Sequence, residues 1–252
     1  MKTAIVTLAA ALTCFPPALP AAEQPPDSSV FIFATYFHCN SETIERADEA
    51  VRRVYKNELD GLVKDGTVSS WGWLRKFAGG EWSRVGYLTG SSLAVLLDAT
   101  DKSAVVRSDG HPPKMESKVL EEACSSGEDY VWHVLAGSDP RGHRGPVAFS
   151  TYYVCDQSRE KQADALVKRV LATKYDDLVA HGKLTTWLWA EHIVGGKYRR
   201  LATMTAPSRD ALIKAREELV AAAEHDPVNE AMTSICGSHQ DYIWETRDQG
   251  GP

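Results

Sequence analysis

The chain has 252 residues, 43% of them hydrophobic and 25% charged, with a formal net charge of −6. That composition is ordinary for a soluble globular protein, and the length allows one large domain or two small ones. Charges of both signs are interspersed and no basic stripe is present, which sets nucleic acid aside as a partner.

Residues 1–22 read as a signal peptide. Lys2 supplies the positive start, AIVTLAAAL (4–12) the apolar centre, and ALPAA the small residues for cleavage near Ala21 or Ala22, although Pro20 fits that rule imperfectly. The apolar run is too short to cross a bilayer as a helix. Cys14 lacks a lipobox, since Ala11 and Thr13 precede it. Cleavage would leave 27 basic and 34 acidic residues, a net charge of −7. The expectation is an exported protein, periplasmic or secreted, with no membrane contact after processing.

After a flexible segment at 23–29, VFIFATYF (30–37) is a short apolar, aromatic and β-branched run, read as a strand buried on both faces. Ile44, Ala47, Val51, Val54 and Leu62 follow at helical spacing, with Gly66 as a stop. VSSWGWLRKF and EWSRVGYLT flank Gly79-Gly80 as a hairpin. A second helix starts after Ser92, a shorter one runs from Pro113 to Cys124, and DYVWHV is a closing strand. AGSDPRGHRGP is a polar, Gly/Pro-rich linker, with its core at 137–146.

The same order then returns. Phe33–Ser92 aligns with Phe149–Ser208 without a gap and with 20 identities in 60 positions, among them Tyr36/Tyr152, Cys39/Cys155, Asp48/Asp164, Trp71/Trp187, Trp73/Trp189 and Arg84/Arg200. CSSGEDYVW (from Cys124) meets CGSHQDYIW (from Cys236), so copy one carries four extra residues, placed around SDGHPP (108–113). A period near 115 is a duplicated domain and not a solenoid repeat. The order β-α-β-β-α-β, twice, predicts two tandem ferredoxin-like α+β domains, at 30–136 and 147–247, with a flexible tail at 248–252. Strands 1 and 4 of such a unit are antiparallel neighbours. That predicts the disulfides Cys39–Cys124 and Cys155–Cys236, an even set suited to an oxidising compartment.

If Gly79-Gly80 is a two-residue turn, Phe77 faces Trp82, Arg75 faces Arg84, Trp73 faces Gly86 and Trp71 faces Leu88 on one side of the hairpin; in copy two, Ile193 faces Tyr198, Glu191 faces Arg200, Trp189 faces Ala202 and Trp187 faces Met204. A large ring opposite a small residue makes either a packed core or a slot for a flat ligand. Arg75/Arg84 is a like-charge pair that needs a carboxylate, solvent or an anionic ligand, whereas Glu191/Arg200 reads as a ready ion pair. Asp48 with Arg52, and Asp164 with Lys168, read as i,i+4 pairs on a solvated face. Tyr36 and Tyr152 read as core phenols or as proton donors to a bound substrate. The ligand-binding candidates are therefore Tyr36, Trp73, Arg75, Arg84, Tyr152, Trp189 and Arg200; if copy one holds a working site, copy two would be its structural partner. No zinc, facial-triad, nucleophile-elbow or phosphate-loop pattern is present, and Gly79-Gly80 is a turn.

On the twice-repeated β-α-β-β-α-β order, the chain resembles the dimeric α+β barrel superfamily, which includes antibiotic-biosynthesis monooxygenases, cyclases and chlorite dismutases; on Trp71-Gly72-Trp73, the Gly-Gly hairpins and the C…DYVW and C…DYIW segments it resembles, more narrowly, a group of small exported bacterial proteins of unassigned activity. The resemblance implies that both units pack sheet against sheet as an intrachain barrel, in a monomer or homodimer. It implies three readings: an exported small-molecule-binding protein with an aromatic pocket on its sheets; a cofactor-free or haem-dependent enzyme of the monooxygenase or cyclase type; or an interaction or stress protein without a pocket. Haem members hold the group in the C-terminal unit, where His192 and His239 are the axial candidates. No cofactor and no metal are expected from the residues themselves.

Overall fold

The computed structural model describes residues 29–102, 115–138, 144–224 and 226–251; the signal peptide, SDGHPP and the centre of the linker lie outside them. Eight strands form a closed antiparallel barrel: β1 (Phe31–Cys39), β2 (Ser70–Gly79), β3 (Arg84–Gly90), β4 (Cys124–Gly137), β5 (Val147–Val154), β6 (Thr186–Val194), β7 (Arg200–Ala206) and β8 (Ser238–Gly250). Around the ring they run β1-β3-β2-β8-β5-β7-β6-β4, so each copy supplies four consecutive strands and two seams, β2·β8 and β4·β6, close the circle. Closure leaves no strand edge open.

The helices cover the outside of the barrel. Copy one has α1 (Ile44–Ala50) and α2 (Lys56–Lys64), joined by a π-helical turn at Val51–Tyr55, then α3 (Leu93–Lys102) and α4 (Met115–Ala123). Copy two has α5 (Glu160–Leu166) and α6 (Ala172–Ala180), joined by a π turn at Val167–Leu171, then α7 (Arg209–Ala223) and α8 (Pro227–Ile235). Asp226 caps α8 ahead of Pro227, its side chain accepting from the Val228 N–H.

Because side chains alternate across a strand, three cores result. The lumen is filled by both copies, with Tyr36, Trp82, Tyr130, Trp132, Tyr152, Tyr198, Tyr242 and Trp244 packed together. Each copy also has its own outer core between sheet and helices. Cys39 and Cys124 stand opposite each other in the β1·β4 ladder, and the two disulfides are Cys39–Cys124 and Cys155–Cys236. They close sequence separations of 85 and 81 residues, each worth about 4 kcal/mol in the chain-entropy model.

Two expectations are corrected. Residues 248–250 are not a tail: β8 continues to Gly250, which pairs with Trp71. The hairpin register holds from Trp71↔Leu88 to Arg75↔Arg84, but Gly79-Gly80 is not a two-residue turn, since β2 ends at Gly79 and β3 begins at Arg84. Phe77 therefore does not face Trp82: Phe77 is half-exposed, while Trp82 turns into the lumen and stacks on Tyr36 at 4.1 Å between ring centroids. Ile193 and Tyr198 diverge in the same way, Ile193 exposed and Tyr198 in the lumen.

Candidate ligand pocket

The repeated polar residues meet on the outer face of each half-barrel. In copy one Asp48, 2% exposed, accepts the Trp73 indole N–H at 2.8 Å and takes the Arg84 guanidinium bidentately, at 2.7 and 2.8 Å. Copy two repeats this: Asp164 accepts from Trp189 at 2.9 Å and from Arg200 at 2.8 and 2.9 Å. A second tie joins Trp71 to Asp60 at 2.9 Å, and Trp187 to Asp176 at 2.7 Å. The π turns make both ties reachable from one helix. Asp48 and Asp60 are twelve positions apart, about 3.3 turns of regular α-helix, which would splay them; a π turn spends one more residue and brings the separation to about three turns. Asp48 and Asp164 are thus not surface i,i+4 partners. Burial pushes the Asp48 carboxyl up, but the hydrogen bonds from Arg84 and Trp73 prevail and hold it below the ordinary carboxylate value.

The arginines are likewise answered by carboxylates. Arg75 bonds Glu245 across the β2·β8 seam, its Nε 2.7 Å from Oε2, and Arg209 holds the other oxygen of Glu245. Arg200 does not pair with Glu191 but with Asp164 and Glu160; Glu191 instead meets His133 Nδ1 at 2.9 Å across the β4·β6 seam. The like-charge pair of copy one is therefore neutralised from within, Arg84 by α1 and Arg75 by the other copy. The seven candidates do not converge: Tyr36 and Tyr152 lie in the lumen, and Trp73, Arg75, Arg84, Trp189 and Arg200 on outer faces.

A cavity of about 300 Å³ lies between the copy-two sheet and α6, α7 and α8. Trp187, Trp189, Tyr153 and Tyr175 supply aromatic walls, and Ala202, opposite Trp189, leaves the width between them. Two cations line it. Lys174 is held by Asp226 at 2.8 Å. Arg216 lies over the Phe149 ring, 4.8 Å from its centroid, and among the described residues no carboxylate pairs with it. Burial raises the phenols of Tyr153 and Tyr175 above their ordinary value, so both are neutral O–H groups; the Arg216 charge pulls each the other way. His239 and Asp241 also line the cavity, Nε2 lying 3.9 Å from Oδ2. Of the seven ligand-binding candidates Trp189 alone lines this cavity, together with the axial candidate His239. Arg216, Tyr153 and Tyr175 carry no motif; the signal that could have found Arg216 is its place on the apolar stripe of α7, one residue after Ala215 and four after Leu212, both fully buried.

No family model matches the sequence, and no curated protein is significantly similar to it. Solved structures do match over most of the chain. A monooxygenase-like protein from Lactobacillus acidophilus NCFM aligns with a TM-score of 0.57 and 6% identity, covering 89% of this chain and 96% of that one. An anthrone oxidase-like protein aligns at 0.53 and 13%, covering 89% and 94%. A heme-binding protein from Thermus thermophilus aligns at 0.52 and 10%, covering 86% and 90%. These proteins define a class by fold: the chain is a dimeric α+β barrel. Within that class it is one in which a single chain supplies both halves.

The class raises haem as a cofactor, and the donor set does not fit it. Among the described residues His239 is the one imidazole on the cavity wall; its side chain is 48% exposed, with Nε2 facing Asp241. His192 bonds Arg199 at 2.7 Å and packs against Tyr130 and Trp132 on the lumen side; burial and then the Arg199 charge hold it below the ordinary imidazole value. The cavity is also at the small end of ligand sites. Among the described residues no group of three or more His, Cys, Asp or Glu could hold a metal.

Proposed function

We propose that this is an exported small-molecule-binding protein built from two fused ferredoxin-like units, 30–136 and 147–247, and that it takes a planar, apolar molecule bearing one anionic group in the copy-two cavity. The observation that carries the reading is Arg216. Among the described residues no carboxylate pairs with this half-buried guanidinium at the wall of an aromatic cavity, and an anionic ligand would answer its charge. Trp187 and Trp189 are held rigid by their indole hydrogen bonds to Asp176 and Asp164, so the stacking walls are already in place. The test is a titration of the full oxidised chain with planar aromatic carboxylates and their uncharged amides, followed by calorimetry. Carboxylates should bind at least tenfold more tightly than the amides, and Arg216→Gln should erase the difference. Equal binding of both would sink the reading.

A second reading rests on His239 and Asp241 at the same cavity, beside the neutral phenol of Tyr153. A bound substrate would there meet a proton acceptor and a proton donor, as a cofactor-free enzyme requires. Turnover that Tyr153→Phe abolishes while binding persists would favour it.

A further inference from the structure

The copy-two cavity carries a second open polar group, on its sheet side. Asp241 of β8 stands opposite Thr151 of β5, and both line the cavity. Its Oδ1 is buried without a hydrogen-bond partner. Its Oδ2 lies 3.9 Å from His239 Nε2, beyond hydrogen-bond length. Arg216 reaches the same cavity from α7, resting on Phe149, and among the described residues no carboxylate pairs with it.

Copy one shows how the same position is satisfied. There Asp129 stands opposite Thr35, and the Thr35 hydroxyl donates to Asp129 Oδ1 at 2.6 Å. Two differences between the copies undo this. Phe37 of copy one corresponds to Tyr153 of copy two. The Tyr153 phenol takes the hydrogen bond of the Thr151 hydroxyl, so Thr151 does not serve Asp241 as Thr35 serves Asp129. Thr100 of copy one corresponds to Arg216. Together the two differences leave one cation and one carboxylate oxygen open at a single cavity. Both act on the Tyr153 phenol, Arg216 favouring its ionised form and Asp241 opposing it, while burial keeps it neutral. Charges shift a neighbour's titration at short range, so the two poles sit close to one phenol. Among the described residues no ion pair joins them.

We infer that the ligand of this cavity is an aromatic α-amino acid, with its carboxylate on Arg216, its ammonium on Asp241 Oδ1 and its ring against Trp187 and Trp189. The inference rests on the Arg216 reading above and adds the second pole. A carboxylate oxygen can only accept, and an ammonium gives it a charged donor, so one head group answers both poles. An α-amino acid carries its two charges on one carbon, which matches two poles beside one phenol. A dry cavity of about 150 Å³ takes a benzene ring, so about 300 Å³ has room for ring and head group together.

The test is calorimetric titration of the full oxidised chain with L-phenylalanine, 3-phenylpropionate and phenethylamine, which present both poles, the anion alone and the cation alone on one ring. L-Tryptophan, indole-3-propionate and tryptamine repeat it with a larger ring. The amino acid should bind at least tenfold more tightly than either partner of its series. Asp241→Asn should bring it down to the level of the propionate without weakening the propionate itself, which a loss of folding would not do. Tyr153→Phe frees Thr151 to satisfy Asp241 as in copy one, and should reduce the same advantage with no change of charge. Equal affinity for amino acid and propionate overturns the inference and leaves the Arg216 reading standing. It is overturned too if the advantage survives Asp241→Asn, or if neither amino acid binds; failure of the propionates as well would strike the Arg216 reading with it.

Discussion

In copy one, Phe33, Phe37, Tyr55 and Leu59 are buried between sheet and helices; in copy two, Phe149, Tyr153, Leu171 and Tyr175 occupy the matching positions half-buried around an open cavity. The frame beneath is the same in both, with an Asp–Trp–Arg tie, a second Asp–Trp tie, a π turn and one disulfide. What differs is what fills the layer. Tyr55 and Leu59 exchange size with Leu171 and Tyr175, and Thr100 gives way to Arg216. Thr100 folds back onto its own helix, its hydroxyl donating to the Leu97 carbonyl at 2.7 Å, whereas Arg216 reaches across to Phe149. A guanidinium cannot be sealed into an apolar layer without a partner, so the layer of copy two stays open around it. Duplication produced two equal frames, and a few side chains decide which one holds a cavity.

The largest expected effect tests whether the two frames are equally strong. Asp48 answers Arg84 and also lies 3.3 Å from Arg247, whereas Arg200 has two carboxylates, Asp164 and Glu160. Asp48→Asn should therefore cost about 3–5 kcal/mol, the cost of stranding a buried charge. Asp164→Asn should cost distinctly less, since Glu160 keeps Arg200 paired. Urea unfolding of the two variants measures the difference, and equal losses would show that Glu160 contributes nothing. The pH dependence follows from the same pair. The folded carboxyls of Asp48 and Glu245 lie below their ordinary values, so their contribution is complete above about pH 5 and is lost as pH falls through the folded values. The acid limb of the stability curve should shrink in Asp48→Asn and persist in Asp164→Asn.

A smaller effect concerns the seams. Arg75 of copy one meets Glu245 of copy two, and at the other seam Glu191 of copy two meets His133 of copy one. A dimer made of two first copies would instead set Arg75 against His133, cation against imidazole. The electrical difference between the hairpins is thus explained by which half each must join. Arg75→Glu should cost about 1 kcal/mol by placing Glu opposite Glu245, an amount limited by the exposure of Arg75. Adding Glu245→Arg should recover the cross-seam pair but not the whole loss, since the new arginine faces Arg209, and a double-mutant cycle in urea would show the coupling.

Much of this was readable in the residues. The duplication, strand order within each copy, hairpin pairing from Trp71 to Arg84 and both disulfides follow from periodicity and spacing. The burial of Asp48 was also legible: it follows Ala47 on the apolar stripe and recurs as Asp164 after Ala163, but its spacing to Arg52 suggested a surface pair. Two things were beyond reach. The face occupied by Tyr36 relative to Arg84 depends on the β1·β3 register, which pairs Arg84 with Phe37 and so puts Tyr36 on the other side of the sheet. The place of the cavity depends on how side-chain volumes sum across a layer, which no local pattern reports.

The smallest change in stability should close the pocket. Leu171→Tyr gives copy two the residue that copy one uses at Tyr55, and the added ring has the cavity to enter. Overpacking of a filled core typically costs about 1–3 kcal/mol; here the cost should stay below about 1 kcal/mol, because the space exists. Binding of an aromatic carboxylate should nonetheless fall at least tenfold. Loss of binding with intact stability would show that the open layer is the site. Retained binding would place the ligand elsewhere and return copy two to the role of a structural partner.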